Sequence, residues 1–584
     1  MNKKLMSGNE AIARGAFEAG VRFAAAYPGT PSTEILENIA QYPEINAQWS
    51  SNEKVALEVG AGASLAGSRV LVAMKHVGVN VAADPLMTLS YTGVNGGLVL
   101  VAADDPGMHS SQNEQDSRHY ARLGKVPMLE PADSQEAKEM VRIALEISEQ
   151  FDTPVMLKSS TRISHSQGLV ILGEREDVPI RPYVKDIRKY LMLPAFARPR
   201  HVLVEKRMKN LLTYVEESPL NRIEWRDTKI GVIAAGTNYQ YVREALPDAS
   251  VLKLGICYPL PAALIKEFAA GVSELFVVEE LDPFVEEQVR AMGIPVCGKE
   301  LFPLVGEITP NDISEKILGR SISVPLDISG YNDEPIVQRP PVLCPGCSHR
   351  GVFYTLKKLH LVVSGDIGCY TLGGLPPLEA MDTCICMGAS ISAGLGLEKG
   401  NPELKGKVVS VIGDSTFFHS GLTGLADVVF NQGTTLTLIM DNRSTAMTGH
   451  QQNPGTGMTL KGEPTDALDI VKICQAFGVK RVRQLDPFNL AELDQAIREE
   501  VVADESSVIV VKRACSLLNK GHKDIYFIDM EKCISCGSCM KLGCPAVSRD
   551  GDIISIDDSL CVGCAVCVQV CKNDAIAKVG GNNV

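Results

Sequence analysis

The chain has no run of 18 consecutive apolar residues, and its opening stretch, MNKKLMSGNEAIARGAFEAG, lacks the apolar core of a signal peptide. Neither a membrane span nor a secretory leader is expected, and the reading is a cytoplasmic protein with no membrane partner. Aromatic residues are scarce, at 5% with two Trp, and there is no basic excess: 57 Lys+Arg against 70 Asp+Glu leave a net charge of −13. That balance repels a phosphate backbone, so nucleic acid is not an expected partner. Cysteine is absent before Cys257, yet the chain holds 17, eight of them between Cys533 and Cys571. In a reducing compartment so dense a group signals metal ligation, not disulfides. What is abundant is aliphatic side chain and glycine: 45% of residues are hydrophobic and 51 are Gly. A globular chain of 584 residues is too long for one core and implies about three to five domains.

Up to about Ser166, glycine-bounded apolar runs such as RVLVAM and GGLVLVAAD alternate with helical periods such as DSQEAKEMVRIALEISEQF. This alternation predicts a parallel α/β sheet, placed at residues 1–180. A basic stretch at 181–226 reads as a linker carrying a helix packed on a neighbour. TKIGVIAAGTNYQYVREAL opens a smaller α/β domain at 227–322. The polar, Pro-bearing NDEPIVQRPPVL marks a boundary. A third α/β domain follows at 335–520, and a Cys-rich module at 524–584.

In that module Cys533, Cys536, Cys539 and Cys544 read C-x2-C-x2-C-x4-C-P, and Cys561, Cys564, Cys567 and Cys571 read C-x2-C-x2-C-x3-C. A cubane needs four converging thiolates, and in this bacterial pattern the fourth Cys of each run ligates the other cluster. The expectation is one [4Fe-4S] cluster on Cys533, Cys536, Cys539 and Cys571 and a second on Cys561, Cys564, Cys567 and Cys544. A pair of zinc sites is the alternative, although two triplet-plus-one runs are not a zinc-ribbon spacing.

The strand VVSVIG ends in Gly413-Asp414-Ser415, and TLTLIM ends in Asp441-Asn442. This interval resembles the thiamine diphosphate pattern G-D-G, spacer, N, with Ser415 replacing the second Gly. Both signals fall at carboxyl ends of strands, where open α/β sheets bind ligands. Mg2+ bridging two phosphates wants oxygen ligands, for which Asp414, Asn442 and a carbonyl near Ser444 are the candidates; an ordinary strand-end Asp and a turn Asn are the alternative. Driving the aminopyrimidine to its imino form takes a carboxyl group in a dry site. Glu53 is the candidate, with Glu58 its competitor and a solvated helix-start carboxylate the plain alternative.

With these residues in hand the chain resembles the 2-oxoacid:ferredoxin oxidoreductases, and within them the large-subunit branch specific for indolepyruvate. The resemblance rests on AYPGTPSTEI (26–35), KHVGVNVAADP (75–85), ADDPGMHSSQNEQDSR (103–118), CPGCSHR (344–350), GDIGCYTLG (365–373), the GDS and DN pair and the double cluster. It implies a multidomain α/β fold: pyrimidine-type and diphosphate-type thiamine diphosphate domains, a transketolase-C-terminal-like domain and a 2[4Fe-4S] ferredoxin-like domain. It places Thr30 by the thiamine and substrate, and puts a third [4Fe-4S] cluster on Cys344, Cys347, Cys369 and Cys515, with buried structural thiols as the alternative. His76, His349 and His419 lie in family-like loops, where a diphosphate contact, most directly for His349, competes with a structural role. Cys384 and Cys386 read as packing residues, and Cys257, Cys297 and Cys474 have no assigned role.

The implied activity is oxidative decarboxylation of an aryl 2-oxoacid with coenzyme A, giving the aryl-acetyl-CoA, CO2 and reduced ferredoxin. The implied partners are a small beta subunit, in a heterodimer or a dimer of heterodimers, and ferredoxin. A branched or short 2-oxoacid as substrate, and a non-catalytic electron-transfer subunit, are the rival readings.

Overall fold

A computed structural model of the chain describes residues 2–323, 340–518 and 524–579. Most of the boundary segment NDEPIVQRPPVL lies outside the described residues. The chain divides into two compact units, Met1–Asp333 and Glu334–Val584.

In the first unit a seven-stranded sheet runs in the order Ile256–Tyr258, Met128–Leu129, Val155–Ser160, Leu98–Asp104, Val70–Lys75, Phe23–Ala26 and Asn46–Trp49. Its neighbours are parallel except the first pair. Val70–Lys75, Leu98–Asp104 and Val155–Ser160 are buried along their whole length, the pattern of strands covered on both faces. A second, four-stranded sheet runs Glu274–Val278, Asp227–Ala235, Ala249–Leu254 and Arg222–Glu224.

Two features depart from the domain limits expected of the sequence. Strand Ile256–Tyr258, inside the segment assigned to the smaller domain, pairs antiparallel with Met128–Leu129 and so extends the first sheet. The segment 181–226 carries the packed helix expected of it, the 24-residue Pro194–Glu217, whose Arg207 donates to the Ser90 carbonyl (2.9 Å), but it also contains the strand Arg222–Glu224, which joins the second sheet. Both departures are long-range pairings that local composition does not encode. The two sheets are also tied by a buried ion pair: Arg118 reaches Glu279 at 2.6 Å, while Asp116, on the same loop as Arg118, holds the guanidinium at 2.5 Å.

The second unit is built on a six-stranded parallel sheet in the order Thr383–Cys384, Val362–Gly365, Val408–Gly413, Leu436–Asp441, Ser507–Lys512 and Arg481–Leu485. The cysteine-rich segment follows as two antiparallel pairs, Tyr526–Ile528 with Ile576–Lys578 and Val547–Asp550 with Ile553–Ile556. Among the described residues no helix is long and apolar enough to cross a membrane.

Candidate functional site

Four adjacent strands of the six-stranded sheet deliver functional side chains at their carboxyl ends. Cys369 follows Val362–Gly365, Asp414 follows Val408–Gly413, Asn442 follows Leu436–Asp441, and Cys515 follows Ser507–Lys512. Parallel pairing brings these ends together. The Cys515 amide donates to the Asn442 carbonyl at 3.0 Å, which fixes the last two loops against each other.

Asp414 is 2% exposed. Burial, with Asp441 adding repulsion, raises its pKa to about 7. Asn453 Nδ2 donates to its Oδ2 at 3.1 Å. The Ser444 amide donates to Asn442 Oδ1 at 3.1 Å, and Thr445 Oγ1 donates to Ser415 Oγ at 2.9 Å. Asn442 Nδ2 lies 3.5 Å from His349 Nε2, and burial lowers the His349 pKa to about 4, so this ring is neutral at physiological pH. A Cβ at Gly413 would sit 2.6 Å from the Tyr370 ring, so the strand end closes tightly on its neighbour. The structure therefore gathers Gly413, Asp414, Ser415, Asn442, Ser444 and His349 at one place. A buried carboxylate with a raised pKa beside an amide oxygen is the donor set that a hard cation bridging phosphates requires. The residues fit magnesium and a diphosphate.

Asn453 and Asp366 were not singled out by sequence reasoning. Asp366 accepts from the amides of Gly388 (2.9 Å) and Ser390 (3.0 Å), ordering the start of helix Ala389–Gly400. Its strand-end position was a usable signal; nothing in the sequence marks Asn453.

In the first unit Glu53 opens helix Glu53–Leu65, which Asn52 caps by accepting from the Val55 amide at 2.9 Å. Glu53 is 5% exposed, whereas the side chain of Glu58 is 46% exposed and ion-paired with Lys54. A Cβ at Gly78 would fall 2.6 Å from Glu53 Cγ and 2.8 Å from Oε1, so only glycine leaves this carboxyl group its place.

Thr30 belongs to a separate polar group. Its carbonyl accepts from Ser110 Oγ at 3.3 Å, and Lys75 Nζ donates to the Ser110 carbonyl at 2.6 Å. Asp105 accepts from the Ser110 amide (2.9 Å), Ser111 Oγ (2.5 Å) and Thr161 Oγ1 (2.6 Å). Burial lowers the Lys75 pKa to about 8. Lys75 and Asp105 stand at strand ends within resemblance motifs, a signal that the sequence reading left unused. His76 is buried with Nε2 3.1 Å from the Asn113 carbonyl, and its Nδ1 has no hydrogen-bond partner among the described residues. His419 is buried, 2.7 Å from Ser420 Oγ.

The cysteines fall into three sets. Cys344, Cys369 and Cys515 converge with Cys347: burial pushes Cys347 up to about 12, with Cys344 and Cys369 adding to it, and Cys369 up to about 11, with Cys515 and Cys344 adding. Cys533, Cys536, Cys539 and Cys571 line one cavity with Ile528, Ile554 and Ile576. Cys544, Cys561 and Cys564 act on Cys567, whose thiol burial pushes up to about 12. None of the 17 is in a disulfide.

Each set offers four thiols, the donor set that a [4Fe-4S] cluster takes. Cys384 and Cys386 are exposed, not packing residues as the sequence suggested, because strand Thr383–Cys384 is the sheet edge. Cys257 and Cys474 are buried in apolar cores.

Gly346, at φ +65°, seats the Cys344–Cys347 loop on the Cys561–Cys564 loop: a Cβ there would lie 2.1 Å from Val562 Cγ2. Gly346→Ala is expected to cost about 1–3 kcal/mol and to reduce iron retention, measurable by thermal unfolding and iron content.

Residues 14–216 match the family model described as pyruvate flavodoxin/ferredoxin oxidoreductase, thiamine diphosphate-binding. Residues 366–511 match the C-terminal TPP-binding domain of thiamine pyrophosphate enzymes, and 525–572 a 4Fe-4S dicluster domain. The chain is 41% identical to the indolepyruvate oxidoreductase subunit IorA of Pyrococcus horikoshii, over 99% of this chain and 97% of that one. It is 40% identical to its namesake in Archaeoglobus fulgidus and 41% to that of Methanothermobacter marburgensis, in each case over 99% of this chain and 98% of the other.

Proposed function

Because this chain belongs to the IorA family of indolepyruvate oxidoreductase subunits, within the 2-oxoacid:ferredoxin oxidoreductases, we propose that it is the catalytic subunit of an indolepyruvate:ferredoxin oxidoreductase. It converts an aryl 2-oxoacid and coenzyme A to the aryl-acetyl-CoA and CO2, and hands two electrons, one at a time, to ferredoxin. The observation that carries this reading is the shared strand-end edge, where the oxygen donors Asp414 and Asn442 stand between Cys369 and Cys515 and the Asn442 carbonyl is bonded to the Cys515 amide. An oxygen-ligand cation site and a thiolate set built into one sheet suit a reaction that both decarboxylates and removes electrons.

Thiamine diphosphate, when bound, supplies the electron sink for the pair left by departing CO2. Asp414, Asn442 and the Ser444 loop hold Mg2+ and, with Gly413, Ser415 and neutral His349, the diphosphate. Glu53 holds a proton at the aminopyrimidine nitrogen, its burial keeping water from that exchange. Thr30, placed by Ser110 and Lys75, borders the substrate. Cys344, Cys347, Cys369 and Cys515 carry the first cluster, and the eight cysteines of the C-terminal module carry two more. A small beta subunit completes the enzyme, which works in a reducing, cytoplasmic compartment.

Protein purified without oxygen is expected to contain about twelve iron atoms per chain for three cubanes, together with one bound thiamine diphosphate. Turnover with indolepyruvate is expected to exceed turnover with pyruvate. Absence of both thiamine diphosphate and acid-labile sulfide would sink the reading, and faster turnover of pyruvate would overturn the substrate.

A further inference from the structure

Arg350 is the first residue of helix Arg350–Leu359 and is 4% exposed. Its guanidinium holds two loops at once. Nη1 donates to the Leu542 carbonyl at 2.7 Å, and Nη2 donates to the carbonyls of Leu343 and, at 3.0 Å, Cys344. Leu542 precedes Cys544 by two residues, so the clamp runs between the Cys344/Cys347 loop and the loop leading to Cys544. The packing leaves no slack: Gly543 stands at φ +64°, where a Cβ would lie 2.7 Å from Pro377 and 3.4 Å from Arg350 Nη1. The remaining donor, Nε, is buried and has no hydrogen-bond partner among the described residues. The groups acting on this cation are Cys544, Cys347, Cys564 and Cys344, two from each set.

A buried guanidinium cannot shed its charge, and burial with an unused donor is costly unless something negative lies within reach. Each cluster gains one negative charge on reduction, which a fixed positive charge nearby stabilises. We propose that Arg350 is a positioning residue for electron transfer, which clamps the Cys344/Cys347/Cys369/Cys515 set to the Cys544/Cys561/Cys564/Cys567 set and raises the reduction potential of both. The proposal rests on the reading that both sets hold [4Fe-4S] clusters. In each transfer one electron leaves the first cluster and enters the second; no bond forms or breaks, and no proton moves. None of Cys533, Cys536, Cys539 and Cys571 is among the largest influences on Arg350, and the potential of that set is expected to shift least.

The test is an EPR-monitored redox titration of the full enzyme, with signals assigned through Cys564→Ser and Cys536→Ser. Arg350→Gln, with wild-type iron content, is expected to lower the reduced-to-oxidised ratio of the two flanking clusters about tenfold at fixed potential, or about 59 mV, and to shift the third least. Arg350→Lys keeps the charge but loses the fork and the Nε–H, and should lower that ratio about threefold, or about 28 mV. Should Gln cost iron, the lysine variant decides by the same criterion. Flat potentials, an equal fall in all three clusters, or iron loss from both variants overturns the role of Arg350. A wild-type enzyme with about eight iron atoms overturns the three-cluster reading instead.

Discussion

Glu53→Gln is expected to cut turnover of an aryl 2-oxoacid by roughly 10²–10⁴-fold, the range for loss of one positioned acid–base group, while iron and bound thiamine diphosphate stay at wild-type levels. Glutamine matches the size of the side chain, so the packing against Gly78 and the Asn52 cap survive. What is lost is the proton that the carboxyl group shares with the ring nitrogen. Glu58→Gln is the matched control. Its carboxylate is exposed and paired with Lys54, so turnover should change by less than about twofold. If Glu53→Gln turns over at the wild-type rate, the subunit is an electron carrier and not the catalyst.

Asp414→Ala should abolish retention of thiamine diphosphate, with at least a roughly hundredfold fall in affinity and a matching loss of activity, because losing even a supporting group of a metal site costs that much. The iron content should not move, since the cysteines on the flanking strands keep their own loops. Thiamine diphosphate assayed after gel filtration, with iron on the same sample, separates the two effects. A pH signature accompanies the variant. In the unloaded protein the Asp414 pKa is raised to about 7, above the usual carboxyl value of about 3.9. The folded state then binds the proton more tightly than the unfolded one, so this group's contribution to stability falls as pH rises from about 4 through 7. Adding Mg2+ and thiamine diphosphate should restore stability above pH 7, measured by thermal unfolding. Asp414→Ala should show neither the fall nor the restoration; a bound cofactor in this variant would remove Asp414 from the ligand set.

Much of the chemistry was legible in the linear order because it is encoded locally. The cysteine triplets each wrap one cluster within a few residues, and an apolar run ending in Gly413-Asp414-Ser415 announces a strand with a ligand at its tip. The remote fourth cysteine of each set followed from a known crossover, and the structure brings Cys571 to the first triplet and Cys544 to the second. Harder to see were groups that act through distant partners. Asn453 reaches Asp414 across 39 positions, and Arg350 reaches Leu542 across 192. Arg350 in CPGCSHR reads as one more basic residue of a motif until the loop it clamps is in place.

The sequence by itself determined the α/β class, the two C-terminal cysteine runs and the strand-end oxygen donors, because hydrophobic period and short ligand spacings are properties of neighbouring residues; the set on Cys344, Cys347, Cys369 and Cys515 came only with the family resemblance. The sequence put Glu53 first with Glu58 as its competitor. Only the tertiary structure showed that Glu53 is buried and Glu58 exposed, since burial is set by what packs on a helix, here Gly78 of another segment. The tertiary structure also decided that Ile256–Tyr258 belongs to the first sheet, and that the buried Arg350 stands between two thiolate sets. Register and charge proximity depend on where separate segments meet, and no local pattern records that meeting.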